Sequence, residues 1–182
     1  MDFLTMMETR KSCRAYQDKP VSREDLVKIV EAGRLTPSGC NSQPWKFIVV
    51  DEAEAKEKLC DALCLPNGVT GAPWRAQVPA FIVFCEQNAK VMSMVTEYYK
   101  DSQRFAQGDI GAACMNMCHM AMELGLSTCI VGMVDQKKME QYFGIPSGHE
   151  VRMVLAVGYG EKDGAAKKVR KPFEEICSFN QW

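Results

Sequence analysis

Residues 36–45 read Thr36-Pro37-Ser38-Gly39-Cys40-Asn41-Ser42-Gln43-Pro44-Trp45. They separate a predicted helix over 22–34 from a predicted strand over 46–51. An ordinary helix-to-strand connection needs only a few residues and one breaker. Here prolines stiffen both ends, a glycine frees the middle, and Ser38, Asn41, Ser42 and Gln43 supply amides and hydroxyls that could line a polar ligand. A structural turn anchored by a buried Trp45 would use the same prolines, so composition alone leaves both uses open.

Upstream of this loop, Ser22 opens the helix with Asp25 three residues on, a weaker form of the capping box, and Leu26, Ile29 and Val30 give it one apolar face. A short helix is expected over 2–11. Downstream, 52–64 reads as a helix with Leu59 and Leu63 inward, and 78–86 as a buried strand. Between them, 65–77 holds Asn67-Gly68, Gly71, Pro73 and Trp74 and is either a lid over a substrate or a plain surface connection. Residues 88–102 have a helical pattern. Asp109 begins a long helix with Ile110, Ala113, Cys114, Met117, Ala121 and Leu124 at 3–4 spacing and Gly125 as its stop. The span 128–134 is extended, 135–142 helical, and 151–159 a second buried strand. The tail from Gly160 is basic, then apolar at Phe173, Ile176, Phe179 and Trp182, so 173–182 needs a covering surface. The sum is an α+β fold: one domain over 1–182, with a sheet of about four strands, mixed or antiparallel because its connections are short, flanked by helices.

Bulk composition narrows the function. The 182-residue chain carries a net charge of -1, which gives no electrostatic case for nucleic acid or an anionic membrane. Met1-Asp2-Phe3-Leu4 lacks the basic start of a secretory signal, and no apolar run is long enough to span a bilayer. Nine cysteines, an odd count with no such signal, predict a reducing cytoplasmic setting rather than a disulfide framework. Cys60/Cys64 and Cys114/Cys118-His119 sit at i, i+4 on predicted helices. That spacing is one helix face, and no tight Cys-x-x-Cys pair accompanies it, so no metal site is expected. No Gly-x-Gly-x-x-Gly follows a strand and there is no Walker loop.

Two basic runs remain. Arg10-Lys11-Ser12-Cys13-Arg14 places three cations and a hydroxyl within five residues. Lys162, Lys167, Lys168, Arg170 and Lys171 set five cations against Asp163 alone. In a chain with net charge near zero, two such patches suit one compact anion. A phosphate monoester is the natural candidate, clamped by arginine forks and a serine hydroxyl.

Four motifs in order resemble the nitroreductase family. Arg10-Lys11-Ser12-Cys13-Arg14 is similar to the family's opening basic run, and Pro37-Ser38…Asn41…Gln43-Pro44-Trp45 to its flavin-binding loop. Leu124-Gly125-Leu126 followed by Ile130-Val131-Gly132 resembles the segment beside the flavin ring. Val157-Gly158-Tyr159-Gly160 and Lys168-Val169-Arg170-Lys171-Pro172-Phe173 resemble the closing strand and phosphate-binding tail. The resemblance covers residues 8–177 and implies an interlocked homodimer with two FMN molecules at its interface, NADH or NADPH as reductant, and a small-molecule acceptor such as a nitroaromatic or quinone. It places Arg10, Ser12, Lys168 and Arg170 on the phosphate, counts Lys11 among the cofactor-binding residues, and sets Arg14 nearer the ribityl chain or pyrimidine. Pro37, Ser38, Gly39 and Asn41 of the other subunit would line the ring, with Cys129, Ile130, Val131 and Gly132 along its far side.

The flavin itself would carry the chemistry, so no catalytic side chain is expected. Arg14 is the candidate cation for the negative charge that develops near N1 on reduction. His119 reads as a core residue and His149 as part of a surface turn. The chain departs from the family at Gly71-Ala72-Pro73-Trp74-Arg75, where relatives carry cofactor-touching asparagine and lysine, and at Val131, where many carry glutamate. Those contacts are either missing or supplied by Arg75. Two other classes stay open on sequence: a flavin-binding or flavin-trafficking protein without rapid turnover, and a Cys/His redox or metal module.

Overall fold

The computed structural model describes residues 2–64, 72–161 and 168–182. Strands β1 (Trp45–Val50), β2 (Ala80–Glu86), β3 (Ser127–Val131) and β4 (Val151–Gly158) form one sheet in the spatial order β1-β2-β4-β3, with every ladder antiparallel. The helices are α1 (Phe3–Thr9), α2 (Arg23–Arg34), α3 (Ala53–Ala62), α4 (Ser93–Tyr99), α5 (Ala106–Glu123), α6 (Gln136–Phe143) and a single turn, α7 (Phe173–Ile176). The α+β expectation holds, in its antiparallel form.

The sheet is covered on both faces, which is why β2 is buried along its whole length and reads as an unbroken apolar run. Strand alternation sends Phe81, Val83 and Cys85 to one face, against Leu59, Ala62, Leu63 and Met139 of the α3/α6 side. It sends Ala80, Ile82 and Phe84 to the other face, against Leu26 and Ile29 of α2 and Ile110, Ala113, Cys114, Met117, Cys118 and Ala121 of α5. The α2 and α5 axes approach closely at Gly33, where an added Cβ would fall 2.1 Å from the terminal carbon of Met117.

The local signals work where they were read. The Ser22 hydroxyl accepts the Asp25 N–H at 3.1 Å and caps α2. Gly125 takes φ +74°, and α5 closes with the Leu126 N–H on the Ala121 carbonyl and the Gly125 N–H on the Met122 carbonyl. Elsewhere the boundaries move. The helix expected over 88–102 is confined to Ser93–Tyr99, because Lys100 adopts a left-handed backbone at φ 56° and nothing on α4 is buried to extend it. The long helix begins at Ala106, one turn ahead of Asp109. The extended span 128–134 is a strand only over Ser127–Val131. Of the lid-or-connection segment 65–77, residues 65–71 lie outside the described residues, and Pro73–Gln77 is a short 3-10 turn.

The N-terminal run is sewn to the sheet rather than left on the surface. Ser12 makes a single parallel bridge with Thr128 on the outer edge of β3, with the Cys13 N–H donating to the Thr128 carbonyl at 2.9 Å. Tyr16 then bridges Gly160, and Gln17 and Tyr159 pair through the main chain. This brings Arg10 to Arg14 to the β3 edge.

Candidate active site

Six of the residues singled out from the sequence meet at that edge. Arg10 follows the C-terminus of α1, where its N–H bonds the Met6 carbonyl. Lys168, 158 positions later in sequence, donates its ammonium to the carbonyl of Met7. Partial desolvation lowers the Lys168 pKa below its ordinary 10.5, and the neighbouring charges of Arg10 and Arg170 push it the same way. Cations crowd together like this at a place built for an anion. The Arg10 Nη1 is buried and meets no hydrogen-bond partner among the described residues. A buried guanidinium donor without an acceptor is costly, and a phosphate oxygen would satisfy it. The donor set therefore fits a phosphate-bearing cofactor.

Ser12, Arg14 and Cys129 complete the cradle. Burial raises the Cys129 thiol pKa, opposed by Arg14, by the Ser12 hydroxyl and by Arg10. The thiol stays neutral at physiological pH. Strand alternation turns the Ile130 N–H to the same outer edge as the Thr128 carbonyl, and no backbone partner meets it there among the described residues. Gly132 follows with open space where a Cβ would stand. A flat molecule can approach this stretch of main chain closely. Of the second basic run, Lys162 and Lys167 lie outside the described residues.

The loop 36–45 is folded by its own polar groups. Ser38 Oγ accepts the Gln43 N–H at 2.9 Å, Asp109 of α5 accepts the Gly39 N–H at 3.0 Å, and Asn116 donates to the Thr36 hydroxyl at 2.7 Å. Cys40, Asn41 and Gln43 all have positive φ, at 54°, 51° and 47°. That strain persists because both ends are held. Trp45 is buried, stacked on Phe47 at 6.0 Å, so the anchoring role is real, while Pro37, Cys40, Asn41 and Gln43 remain exposed. Anchoring and ligand lining are compatible in one loop.

The loop is tied to Asp109 in the first turn of α5, whereas Arg10 lies near enough to Cys118 and His119 to act on both. Arg10 acts on Cys114 as well, five residues along α5 from Asp109. The loop's own hydrogen bonds run to Asp109 and Asn116 of α5, and among the described residues none runs from Pro37, Ser38, Gly39 or Asn41 to Arg10, Ser12 or Lys168.

His119 is not set up as a proton donor. Burial lowers the His119 pKa, Arg10 lowers it further, and its ring meets Phe3 edge-on at 5.1 Å. Arg75 donates its Nη1 to the Leu63 carbonyl within the same chain, and its Nε meets no hydrogen-bond partner among the described residues. A cavity of about 560 Å³ between Tyr16, Lys19, Asp51, Lys56 and Glu161 is lined by none of the predicted site residues. Two anchors escaped the sequence reading. Asp109 was read only as a helix start, although an acidic residue facing a glycine-bearing loop could have signalled a loop clamp. The buried phenol of Tyr16, packed near Cys13 and Cys129, had no signal beyond its place two residues after Arg14.

The model of the nitroreductase family matches residues 7–159. The chain belongs to the nitroreductase family. A putative NADH dehydrogenase/NAD(P)H nitroreductase of Archaeoglobus fulgidus is 33% identical over 88% of this chain and 87% of its own length. The FMN reductase [NAD(P)H] of Bacillus subtilis is 26% identical over 96% of this chain and 72% of its own. Among solved structures, a nitroreductase family protein of Clostridium difficile 630 superposes with a TM-score of 0.84 at 28% identity, covering all of both chains. An FMN-dependent nitroreductase of Clostridium difficile R20291 gives 0.79 at 25% identity, covering 99% of this chain and all of the other. The nitroreductase is thus similar over nearly its whole length to proteins named for flavin and NAD(P)H chemistry.

Proposed function

We propose that this nitroreductase is an FMN-dependent NAD(P)H oxidoreductase working as a homodimer. Each FMN lies between the cradle of one copy and the 37–41 loop of the other. The observation that carries the reading is the buried Arg10 Nη1, unpartnered among the described residues, inside the convergence of Arg10, Ser12, Lys168 and Arg170. The names of its relatives supply the flavin and the reductant.

In this reading Arg10, Lys11, Ser12, Lys168 and Arg170 hold the phosphate, and Arg14 lies toward the ribityl chain and pyrimidine. Cys129, Ile130, Val131 and Gly132 run beside the ring, where the free Ile130 N–H is available to a ring heteroatom. Pro37, Ser38, Gly39 and Asn41 of a second copy close the opposite side. Bound FMN supplies hydride acceptance and onward electron delivery, with the balance NAD(P)H + H⁺ + quinone → NAD(P)⁺ + hydroquinone. The chain's part is to bind, orient and exclude water. Arg14 supplies fixed positive charge where negative charge develops.

With no second dinucleotide-binding motif, reductant and acceptor use one face in turn, so turnover is ping-pong and reciprocal plots at several acceptor concentrations run parallel. The deciding experiment is the absorbance spectrum of the purified protein, with heat release and chromatography of the chromophore. FMN is the expected species. FAD as the main species, or no flavin after reconstitution, overturns the reading. Bound FMN without oxidation of NADH or NADPH by any nitroaromatic or quinone turns it into a flavin carrier.

A further inference from the structure

The segment that carries Arg10, Ser12 and Arg14 is fastened to β3 through its main chain, and the fastening brings two cysteines together. Ser12 bridges Thr128 in parallel, and the Cys13 N–H donates at 2.9 Å to the Thr128 carbonyl, the group that joins Thr128 to Cys129. Hydrogen-bonded neighbours in a ladder lie about 4.7–4.9 Å apart, so Cys13 and Cys129 stand about one strand spacing from each other. A disulfide takes Cα atoms about 4.4–6.8 Å apart. Both side chains enter the same buried cluster, on the α3/α6 side of the sheet. The phenol of Tyr16 is packed near both thiols. The Cys13 sulfur lies 3.2 Å from where a Cβ on Gly160 would stand, and its thiol donates to the Ala15 carbonyl at 3.1 Å. That carbonyl also accepts the Glu161 N–H, so it keeps a partner if the thiol leaves.

The cysteine pair on the central helix has a different geometry. Cys114 and Cys118 lie four apart on α5. Cβ atoms at that spacing are about 5–6 Å apart, against about 3.5–4.5 Å across a disulfide, so closing that pair would distort the helix. Cys13 sits on an irregular segment at the sheet edge, where the backbone can adjust. Cys13 is 6% exposed and Cys129 2%, a cover that excludes a bulky disulfide oxidant and admits one of a few atoms.

We infer that Cys13 and Cys129 are a redox-labile thiol pair that closes to a disulfide under hydrogen peroxide and locks the Arg10–Arg14 segment onto β3. The Cys129 sulfur, whose thiolate is favoured by Arg14 and the Ser12 hydroxyl, attacks one oxygen of the peroxide. An S–O bond forms, the O–O bond breaks, and the other oxygen leaves as water with the proton released from Cys129. The Cys13 sulfur then attacks the sulfenic sulfur of Cys129. The S–S bond forms, the S–O bond breaks, and the hydroxyl leaves as water with the Cys13 proton. In balance, two thiols and one hydrogen peroxide give one disulfide and two waters, with two electrons passing from sulfur to oxygen. A dithiol reductant reverses the step by exchange. The consequence for FMN rests on the proposed function, because only there does this segment hold the phosphate.

The test uses the full-length protein, reduced, freed of reductant and treated with dilute hydrogen peroxide. Its cysteines are mapped by mass spectrometry of non-reduced digests. A linked Cys13–Cys129 peptide should appear, and a dithiol reductant should return both thiols. Cys13→Ser should stop at a sulfenic acid on Cys129, trapped by dimedone. FMN release on dilution, read by the return of flavin fluorescence, should slow about tenfold in the oxidised wild type and be indifferent to peroxide in Cys13→Ser. Recovery of both cysteines as thiols overturns the proposal. So does a linked peptide from Cys60–Cys64, from Cys114–Cys118 or from Cys40 of two copies in place of Cys13–Cys129. Equal FMN release from the oxidised and reduced wild type would overturn the lock. A protein that forms the linked peptide but binds no FMN defeats the cofactor reading and supports the thiol pair.

Discussion

At the scale of single residues, the site is a matter of charges that have been given no counter-charge. Arg10 presents a buried nitrogen with no acceptor among the described residues, and Lys168 feels the charges of Arg10 and Arg170 while its ammonium rests on a main-chain carbonyl. Arg10→Ala should therefore reduce FMN affinity far more than stability. A charge-assisted hydrogen bond of about 1.5–3 kcal/mol corresponds to a tenfold to hundredfold loss. A flavin dissociation constant unchanged at low ionic strength would show Arg10 to be a solvated charge. The direction of the Lys168 shift sets a pH dependence. Its pKa in the folded chain lies below 10.5, so it gives up its proton earlier than an ordinary lysine as pH rises, and the pull on a phosphate goes with it. FMN affinity should fall on the alkaline side before pH 10.5. Lys168→Met should remove that limb, and titrating both proteins with FMN across the range cancels the flavin's own ionisation. A limb that persists in the variant assigns the effect elsewhere.

At the scale of elements, the cradle depends on how tightly the N-terminal segment lies on the sheet. Gly158 ends β4 beneath Tyr16, and a Cβ there would come within 2.6 Å of the Pro79 ring and 2.8 Å of the Tyr16 ring. Rings give way less easily than flexible chain ends. Gly158→Ala should cost about 1–3 kcal/mol, measured as a lower urea midpoint, and should loosen FMN because Tyr16 follows Arg14 by two residues. A variant with wild-type midpoint and flavin content would mean that the segment shifts freely. The helices and strands themselves were largely legible. Ser22 and Gly125 are local stereochemical signals, and the apolar run over β2 is what a strand covered on both faces must look like. The helix over 88–102 was overread because its residues have helical preference but almost nothing to pack on. Only α4 survives, as a short piece ended by Lys100. Propensity without a buried face does not sustain a long helix.

For the whole molecule, the proposed site takes the cradle of one copy and the 37–41 loop of another. Phe173, Ile176, Phe179 and Trp182 are all exposed in the single chain, apolar surface with no cover of its own. Deleting residues 173–182 should lower both dimer stability and the flavin-to-protein ratio. Sedimentation of the truncated protein alongside its visible spectrum checks both together. A truncated protein that remains dimeric with full flavin content shows the tail to be dispensable. A full-length protein that is monomeric while holding FMN defeats the shared site.

The sequence by itself determined whatever depends on neighbours in the chain: the cap at Ser22, the stop at Gly125, the alternation through residues 80–86, and the composition of the two basic runs and the proline-bounded loop. These follow from backbone sterics and from periods of 2 and 3.6, which act over a few residues. Only the tertiary structure decided which of those pieces meet. It set Lys168 beside Arg10, joined Arg75 to the Leu63 carbonyl, tied Gln103 to Glu86, and fastened the loop to Asp109 at the start of α5. Such contacts join residues that are tens of positions or more apart. They are selected by the burial of two sheet faces and the satisfaction of polar groups in the assembled core, and no short stretch of sequence carries that information.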